Sequence, residues 1–297
     1  MWSSIPYIKC RNNIPKMHYR SFLLIVVLLW LLSSSVFPQS EYKIEGRYKK
    51  QTAQGMAVWK DKAFLLNKTG WCREYDLKRR RIVRAFKLAC YNEKNHANNA
   101  SFGVEMVDDS NVPVIYVSEC VKPYRCFIED ISGEKPRPVQ TIVTVCKGDN
   151  GIAMDWIVDT KKKKLYTISK FLVSEGDKNC WRNHIVRFRL PLLSEGPIVK
   201  LTEKDIEDSF DVLFPSILQG ATIKGRYMYV SVGLQKGHEE RFDSQRGIIV
   251  IDLKTHLIKK SIDLMRLTDN EPEGIDFYGR QLLLFCGQSG GIFKIRR

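Results

Sequence analysis

The segment Gln54–Leu88 returns later in the chain in a weaker form, and this self-similarity restricts the fold more than any other feature. The first copy reads QGMAVWKDKAFLLNKTGWCREYDLKRRRIVRAFKL; the second begins at Gln219 as QGATIKGRYMYVSVG and continues from Gly247 as GIIVIDLKTHLIKKSIDL. Each copy has a Gln-Gly opener, short apolar runs, a strand ending in Asp-Leu and a basic turn before a last strand. Repeats of this size built from short strands are typical of β-propeller blades.

Similar openers occur near residues 54, 101, 152, 219 and 273, a spacing that suits propeller blades. We therefore predict an all-β chain with five blades of four-stranded antiparallel sheets, in one domain over residues 41–297. The last repeat lacks a fourth strand, which Tyr42–Tyr48 is expected to supply by pairing with Gly291–Arg297. A sixth blade stays open as an alternative if Pro191–Asp211 contains a degenerate repeat.

Two stretches depart from the strand pattern. Glu203–Phe210 follows a capping Thr202 and has the composition of a short helix. In blade three, an irregular loop is expected between KLYTISK and the strand HIVRFRL, which begins at His184.

Residues 1–40 have the features of a signal peptide. Lys16 and Arg20 precede the apolar run Phe22–Leu32, and small residues follow it. The run is too short to cross a bilayer but suits the apolar region of an export signal, with Met17 as an alternative start. This predicts an extracytoplasmic protein in the periplasm, at the cell envelope or secreted, unless the segment is retained as an uncleaved anchor.

The eight cysteines and the net charge of +15 add limited information. Cys120 and Cys126 flank an expected hairpin loop, so they form either a cross-strand disulfide or two buried thiols. The positive charge suits contact with an anionic surface, although charge in strand-connecting turns is equally typical of a solvated face. We expect a monomer and no nucleic-acid partner.

Polar residues at or near the blade openers are the first candidates for a ligand site. Inner strands of a propeller line a central channel, so residues just before them should converge at one mouth from several blades. The candidates that share this position are Gln54, His96, Asn98, Asp155, Gln219, Glu271 and Glu273. Such a set suits a small-molecule or glycan ligand or a divalent cation in the channel, and the alternative is that these side chains only satisfy backbone groups of the turns.

Tryptophans provide a second set of candidates. Trp71 and Trp181 lie in expected loops, where an aromatic ring is available to a sugar or a cation. Trp59 and Trp156 lie inside apolar runs and are expected to fill the space between blades. The chain contains none of the short motifs of serine hydrolases, zinc peptidases, P-loop proteins or dinucleotide-binding proteins, so local sequence gives no support to those chemistries.

The first blade resembles that of the glutamine cyclotransferase type of five-bladed propeller. The similarity rests on Gln54-Gly55, the Lys68-Thr69-Gly70 loop and the strand ending REYDL, while the closing EPEGIDFYG resembles openers of lactonase-like extracytoplasmic propellers. The resemblance implies a five-bladed fold and, as one alternative, a cyclase or lactonase that uses a channel acid. Where the family carries an acid after Phe-Gly, this chain reads Phe102-Gly103-Val104-Glu105, one residue out of register, which in a strand reverses the face.

Two functions of different classes follow. The first hypothesis is a secreted or periplasmic binding module with a polar ligand site at the channel mouth, and the alternative is an enzyme of cyclotransferase or lactonase type. The acids available near openers are Glu105, Asp155, Glu271 and Glu273. The sequence leaves open whether the chain is a catalyst.

Overall fold

The computed structural model describes residues 53–108, 110–175, 178–238, 245–287 and 291–295. Over these residues it is an all-β propeller of five radial sheets, which confirms the predicted class and blade count. The predicted signal peptide and the predicted closing strand Tyr42–Tyr48 lie outside the described residues. Within the described ranges there is no α-helix, and no helix has the length and apolarity needed to cross a bilayer.

The first two blades open the ring. Blade one consists of β1 (Ala53–Trp59), β2 (Lys62–Asn67), β3 (Trp71–Asp76) and β4 (Arg81–Lys87). Blade two consists of β5 (Ala97–Phe102), β6 (Ile115–Glu119), β7 (Cys126–Asp130) and β8 (Arg137–Thr144). A fifth strand, β12 (Ile198–Leu201), joins blade two by pairing in parallel with β8.

The other three blades complete the ring. Blade three consists of β9 (Asp155–Asp159), β10 (Lys164–Glu175), β11 (Lys178–Arg189) and β13 (Ile206–Phe214). Blade four consists of β14 (Leu218–Lys224), β15 (Tyr227–Val232), β16 (Gly247–Asp252) and β17 (Leu257–Asp263). Blade five shows three strands among the described residues, β18 (Pro272–Tyr278), β19 (Gln281–Cys286) and β20 (Gly291–Ile295).

The region between β11 and β14 differs from its prediction. Pro191–Asp211 is not a sixth blade, because it supplies the outer strands β12 and β13 to two existing sheets. The predicted helix at Glu203–Phe210 is wrong: Glu203–Asp205 forms a single 3-10 turn and the rest belongs to β13. The cause is period-two alternation from Ile206 onward, with the side chain of every second residue less exposed than its neighbours, which suits the outer strand of a half-buried sheet.

The irregular loop predicted before His184 is also absent. Strands β10 and β11 pair continuously as one long antiparallel hairpin, from Lys164 opposite Arg189 to Glu175 opposite Lys178. The inner strand β9 pairs with β10 only as far as Ile168, opposite Asp155. The hairpin therefore extends past the start of the inner strand, which brings Lys170 to that end of the channel.

Five apolar clusters hold the blades together, one between each pair of neighbours. Blades three and four, for example, share Ile157 and Ile185 with Val230 and Ile249. The cluster that closes the ring joins Met56 and Leu65 of blade one to Phe285 and Ile292 of blade five. Because burial of apolar area is the main favourable term in folding, this packing closes the ring between the last and first blades.

The inner strands β1, β5, β9, β14 and β18 contact one another in ring order. Close approach is needed where they begin. A Cβ atom at Gly274 would lie 2.6 Å from the backbone nitrogen of Met56, and one at Gly220 would collide with the carbonyl oxygen of Glu273. The glycine of the Gln-Gly and Glu-Gly openers thus permits neighbouring inner strands to meet at the channel.

The cysteines are free thiols throughout the described residues. Cys126 lies in β7 opposite Ser118 and Ile142, and Cys120 donates its backbone N–H to the carbonyl of His96. The pair predicted as one alternative, a Cys120–Cys126 disulfide, is therefore not formed.

Candidate functional site

Each blade contributes one polar side chain at the start of its inner strand. These five opener residues are each at most 7% exposed: Gln54, Asn98, Asp155, Gln219 and Glu273. We call the end of the channel that they form the opener mouth.

A β-bulge sets the direction of four of these side chains. The pairing register shifts in β1, β5, β14 and β18 within two or three residues of the opener. A bulge adds a residue to one strand and turns its side chain away from the regular alternation. Asp155 is the exception, since it begins β9 opposite Ile168 without a shift.

Hydrogen bonds join the openers of blades five and one to each other and to His96, just before the inner strand of blade two. Gln54 Nε2 donates to Glu273 Oε1 at 3.2 Å, and its Oε1 lies 2.9 Å from His96 Nε2. Burial, together with the positive charges of Lys170 and Lys68, lowers the pKa of His96 to about 4, so the imidazole is neutral at pH 7. Because Gln54 Oε1 can only accept, the hydrogen-bond network assigns the proton to Nε2 of His96.

A second set of contacts joins blades two, three and four. Asn98 Nδ2 donates to Asp155 Oδ1 and to the carbonyl of Gln219, each at 2.8 Å. Gln219 Nε2 donates to Glu271 Oε1 at 2.5 Å and to the carbonyl of Gly233. Since blades two and four are not neighbours in the ring, Asn98 spans the channel.

Three carboxyl groups share this mouth with one lysine. Lys170 Nζ donates to the carbonyl of Leu218 at 2.9 Å. Burial raises the pKa of Asp155 to about 6. Burial is also the main cause of the raised pKa values of Glu271 and Glu273. The charges of Glu271 and Asp155 raise the pKa of Glu273 further, while Lys170 lowers it.

Two oxygen atoms at this mouth are buried and have no hydrogen-bond partner among the described residues. They are Asp155 Oδ2 and Glu273 Oε2. Most buried polar atoms in proteins are hydrogen-bonded, and a buried carboxylate oxygen without a donor is costly. The described residues contain no cluster of three or more His, Cys, Asp or Glu side chains placed to hold a metal ion.

The structure thus brings together seven of the nine residues chosen from sequence, namely Gln54, His96, Asn98, Asp155, Gln219, Glu271 and Glu273. The loop positions expected for the two tryptophans were wrong. Trp71 begins β3 and packs against the cluster between blades five and one, and Trp181 lies in β11, 8% exposed, between blades three and four.

Sequence reasoning missed Lys170 and misjudged the register near Phe102. Lys170 lies within β10 and carries no motif, and only the length of the β10–β11 hairpin brings it to the mouth. Phe102 ends β5, so the segment Phe102–Glu105 lies at the opposite end from the openers, where Glu105 accepts a hydrogen bond from the backbone of Leu193. The opener position of blade two belongs to Asn98.

A cavity of about 350 Å³ lies at that opposite end. Its lining includes the last part of all five inner strands and the segment after β5, and the residues are Val58, Trp59, Ser101, Phe102, Gly103, Val104, Met106, Pro113, Val158, Thr160, Thr222, Ile223 and Asp276. We call it the far cavity. No sequence pattern pointed to it, because the inner strands end without a shared residue type.

No protein-family model matches the chain, and no curated protein has a significantly similar sequence. What the structure establishes is the five-bladed architecture itself. The site must therefore be interpreted from its own geometry.

Proposed function

We propose that the chain is a binding module whose opener mouth takes a small organic cation, with an ammonium group between Asp155 and Glu273. The observation that supports this is the pair of buried carboxyl oxygens without a donor, Asp155 Oδ2 and Glu273 Oε2. An ammonium group carries three N–H donors and a positive charge, so it would satisfy both oxygens and offset their charge.

The balance of charge at the mouth supports a cation over a neutral sugar. Asp155, Glu271 and Glu273 lie in the field of Lys170, and Glu271 also in that of His238, yet all three have raised pKa values because burial disfavours their ionised forms. A bound cation would favour ionisation of all three. Aminosugars and simple amines are ligands of this type, and a divalent cation is the alternative that the same charges would attract.

Hydrogen bonds position the two carboxylates before a ligand arrives. Gln54 holds one oxygen of Glu273, and Asn98 holds one oxygen of Asp155. In each group the second oxygen is left for a ligand. Such preorganisation reduces the entropic cost of binding.

The proposal is tested by titrating the full chain with glucosamine, N-acetylglucosamine, ethanolamine and CaCl₂ at pH 7.5 in a calorimeter. We expect glucosamine and ethanolamine to bind, and N-acetylglucosamine, which lacks the charge, to bind at least tenfold more weakly. Asp155→Asn and Glu273→Gln should each weaken amine binding at least tenfold.

Glu129→Gln is the matched control. Glu129 is 1% exposed and burial raises its pKa, but both its oxygens accept hydrogen bonds, from the backbone of Ala89 and Cys90. Its replacement should leave amine affinity unchanged. Equal affinity for the charged and acetylated sugars, binding of CaCl₂ alone, or no binding of either amine would refute the proposal.

A second candidate function is catalysis of the cyclotransferase or lactonase type. It is favoured by Glu273, whose pKa lies well above its usual range, since a general acid or base works best with a pKa near the working pH. Incubation with a peptide bearing N-terminal glutamine and with an aliphatic lactone tests it. Turnover that is lost in Glu273→Gln but retained in Glu129→Gln would support the enzyme over the binding module.

We further propose that the protein acts outside the cytoplasm, on the basis of the apolar run Phe22–Leu32 behind Lys16 and Arg20. N-terminal sequencing of the protein from its native cell should then find a first residue between Val36 and Glu41. A chain that still begins at Met1 or Met17 would contradict removal of the segment.

A further inference from the structure

The far cavity is separate from the opener mouth, although the same five strands form both. Between them, Asn99 Nδ2 donates to the carbonyl of Trp156 at 3.1 Å, and Asn99 Oδ1 accepts from the backbone of Ala221 at 3.3 Å. These bonds link blades two, three and four across the channel. A ligand in the far cavity would therefore reach it from its own end.

Eight of the thirteen residues that line the far cavity have apolar side chains. Trp59 and Phe102 form a tilted ring pair with centroids 5.9 Å apart, and Val104, Val158 and Ile223 extend this surface. Met106 also lines the cavity and is 47% exposed. A volume of about 350 Å³ lies within the range of about 300–1,000 Å³ that is typical of small-molecule sites.

Asp276 is the one acidic residue in this lining. Its Oδ2 accepts from the backbone of Val58 at 2.6 Å, and its Oδ1 accepts from Thr222 Oγ1 at 2.9 Å and from its neighbour Phe277 at 2.7 Å. A carboxylate has about four acceptor positions, so one remains at Oδ2.

The charge of Lys224 acts on Asp276 without a direct contact and opposes the effect of burial on its pKa. Lys224 Nζ donates to the carbonyl of Gly279 and lies 4.4 Å from the centroid of the Phe277 ring. None of the described lysine, arginine or histidine side chains forms an ion pair with Asp276. The cavity therefore combines a group of apolar side chains with one carboxylate that forms no ion pair among the described residues.

We propose that the far cavity is a second ligand site, for a small aromatic amine. The ring would pack against Trp59, Phe102 and Met106, and the ammonium group would donate to Asp276 Oδ2. The apolar side chains would contact the aromatic ring of the ligand. The single carboxylate would pair with one positive charge on the ligand. This site does not depend on the function proposed for the opener mouth.

The probe is 2-phenylethylamine, titrated into the full chain at pH 7.5 with phenylacetate and ethanolamine as comparisons. We expect 2-phenylethylamine to bind, and phenylacetate, with the opposite charge, to bind at least tenfold more weakly. Met106→Lys should weaken binding of 2-phenylethylamine at least tenfold, because it removes apolar surface and places a cation near the ligand.

Leu257→Lys is the matched control, since Leu257 is 66% exposed on β17 and does not line the cavity. It should leave the affinity unchanged. Binding of 2-phenylethylamine in the far cavity should also persist in Asp155→Asn, a variant that weakens the opener mouth, which separates the two sites. Burial raises the pKa of Asp276 to about 6, so the affinity should fall as the pH drops below that value.

Several outcomes would overturn the proposal. They are no binding of 2-phenylethylamine, binding that Met106→Lys leaves intact, and equal binding of phenylacetate. Loss of 2-phenylethylamine binding in Asp155→Asn would assign this ligand to the opener mouth instead. If ethanolamine fails to bind while 2-phenylethylamine behaves as expected, the far cavity stands and the proposed function of the opener mouth fails.

Discussion

The two ends of the channel are built from the same five strands, yet their side chains differ. At the opener mouth every inner strand begins with a buried polar residue, and the carboxyl groups of Asp155 and Glu273 each keep one oxygen without a hydrogen-bond partner in the described part of the chain. At the far cavity the strands end in apolar side chains mixed with Ser101 and Thr222, and Asp276 accepts three hydrogen bonds. The opener mouth therefore has two carboxyl oxygens that lack hydrogen-bond donors among the described residues, whereas the far cavity has a hydrogen-bonded carboxylate beside apolar side chains.

This difference arises because the inner strands must approach one another closely at the opener mouth for the ring to close. Where inner strands begin, they approach so closely that Gly220 and Gly274 admit no side chain, and bulges turn the preceding residue toward the channel. The same close approach and bulge occur in several blades, so glycine preceded by a polar residue also recurs. Where the strands end, the walls also come from the segment after β5, including Val104 and Met106, which has no equivalent in the repeat. The far end is therefore free to differ from blade to blade.

The largest expected effect compares glycines at the two ends of β14. Gly220→Ala would place a methyl group against the carbonyl oxygen of Glu273, and we expect it to lower the free energy of unfolding by about 3 kcal/mol. Gly225 has φ +68° and nothing within 4 Å of its would-be Cβ, so Gly225→Ala should cost about 1 kcal/mol from backbone strain alone. Urea denaturation of the two variants measures the difference. Equal losses would show that close approach is not specific to the opener mouth.

The second prediction concerns the pH dependence of stability at the opener mouth. The folded-state pKa of Asp155, about 6, lies above the model-compound value of 3.8. The folded state thus binds a proton more tightly than the unfolded state, so ionisation of Asp155 destabilises the fold progressively from about pH 4 to pH 6. Above pH 6 this penalty is constant, at about 2–3 kcal/mol.

Asp155→Asn removes this penalty. The difference in unfolding free energy between the variant and wild type should be measured at pH 4 and at pH 8. It should be about 2–3 kcal/mol more favourable to the variant at pH 8 than at pH 4. The comparison between the two pH values cancels any pH-independent cost of the new amide. Urea titrations at both pH values provide the measurement, and a difference that stays constant with pH would contradict a raised pKa at Asp155.

The smallest expected effect belongs to the far cavity. Thr222→Val keeps the shape of the side chain but removes the hydroxyl that donates to Asp276 Oδ1 at 2.9 Å. We expect a loss of about 1 kcal/mol in unfolding free energy. The pKa of Asp276 should also rise above its value of about 6, because one bond that favours its ionised form is gone. Carboxyl ¹³C chemical shifts followed against pH would measure that pKa, and a fall would contradict the role assigned to Thr222.

The parts of the fold that could be predicted are those that the repeat encodes. The Gln-Gly openers and alternating apolar runs predicted the five-bladed all-β fold, and the shared opener position identified the seven polar residues that meet at one mouth. The prediction failed where the chain leaves the repeat. The outer strand β13 was mistaken for a helix because its charged residues obscured the alternation, and β12 joins blade two although it lies between two strands of blade three in the sequence.

Sequence alone determined that this chain would form radial sheets and that polar side chains would gather where the inner strands begin, because both follow from local periodicity and from a repeated position. Only the tertiary structure decided that Lys170 would share that mouth and that Asp276 would close a cavity at the other. Both depend on how far particular strands extend and on which non-neighbouring blades face each other across the axis. Those distances are set by the packing of the whole ring, and no local pattern in the chain encodes them.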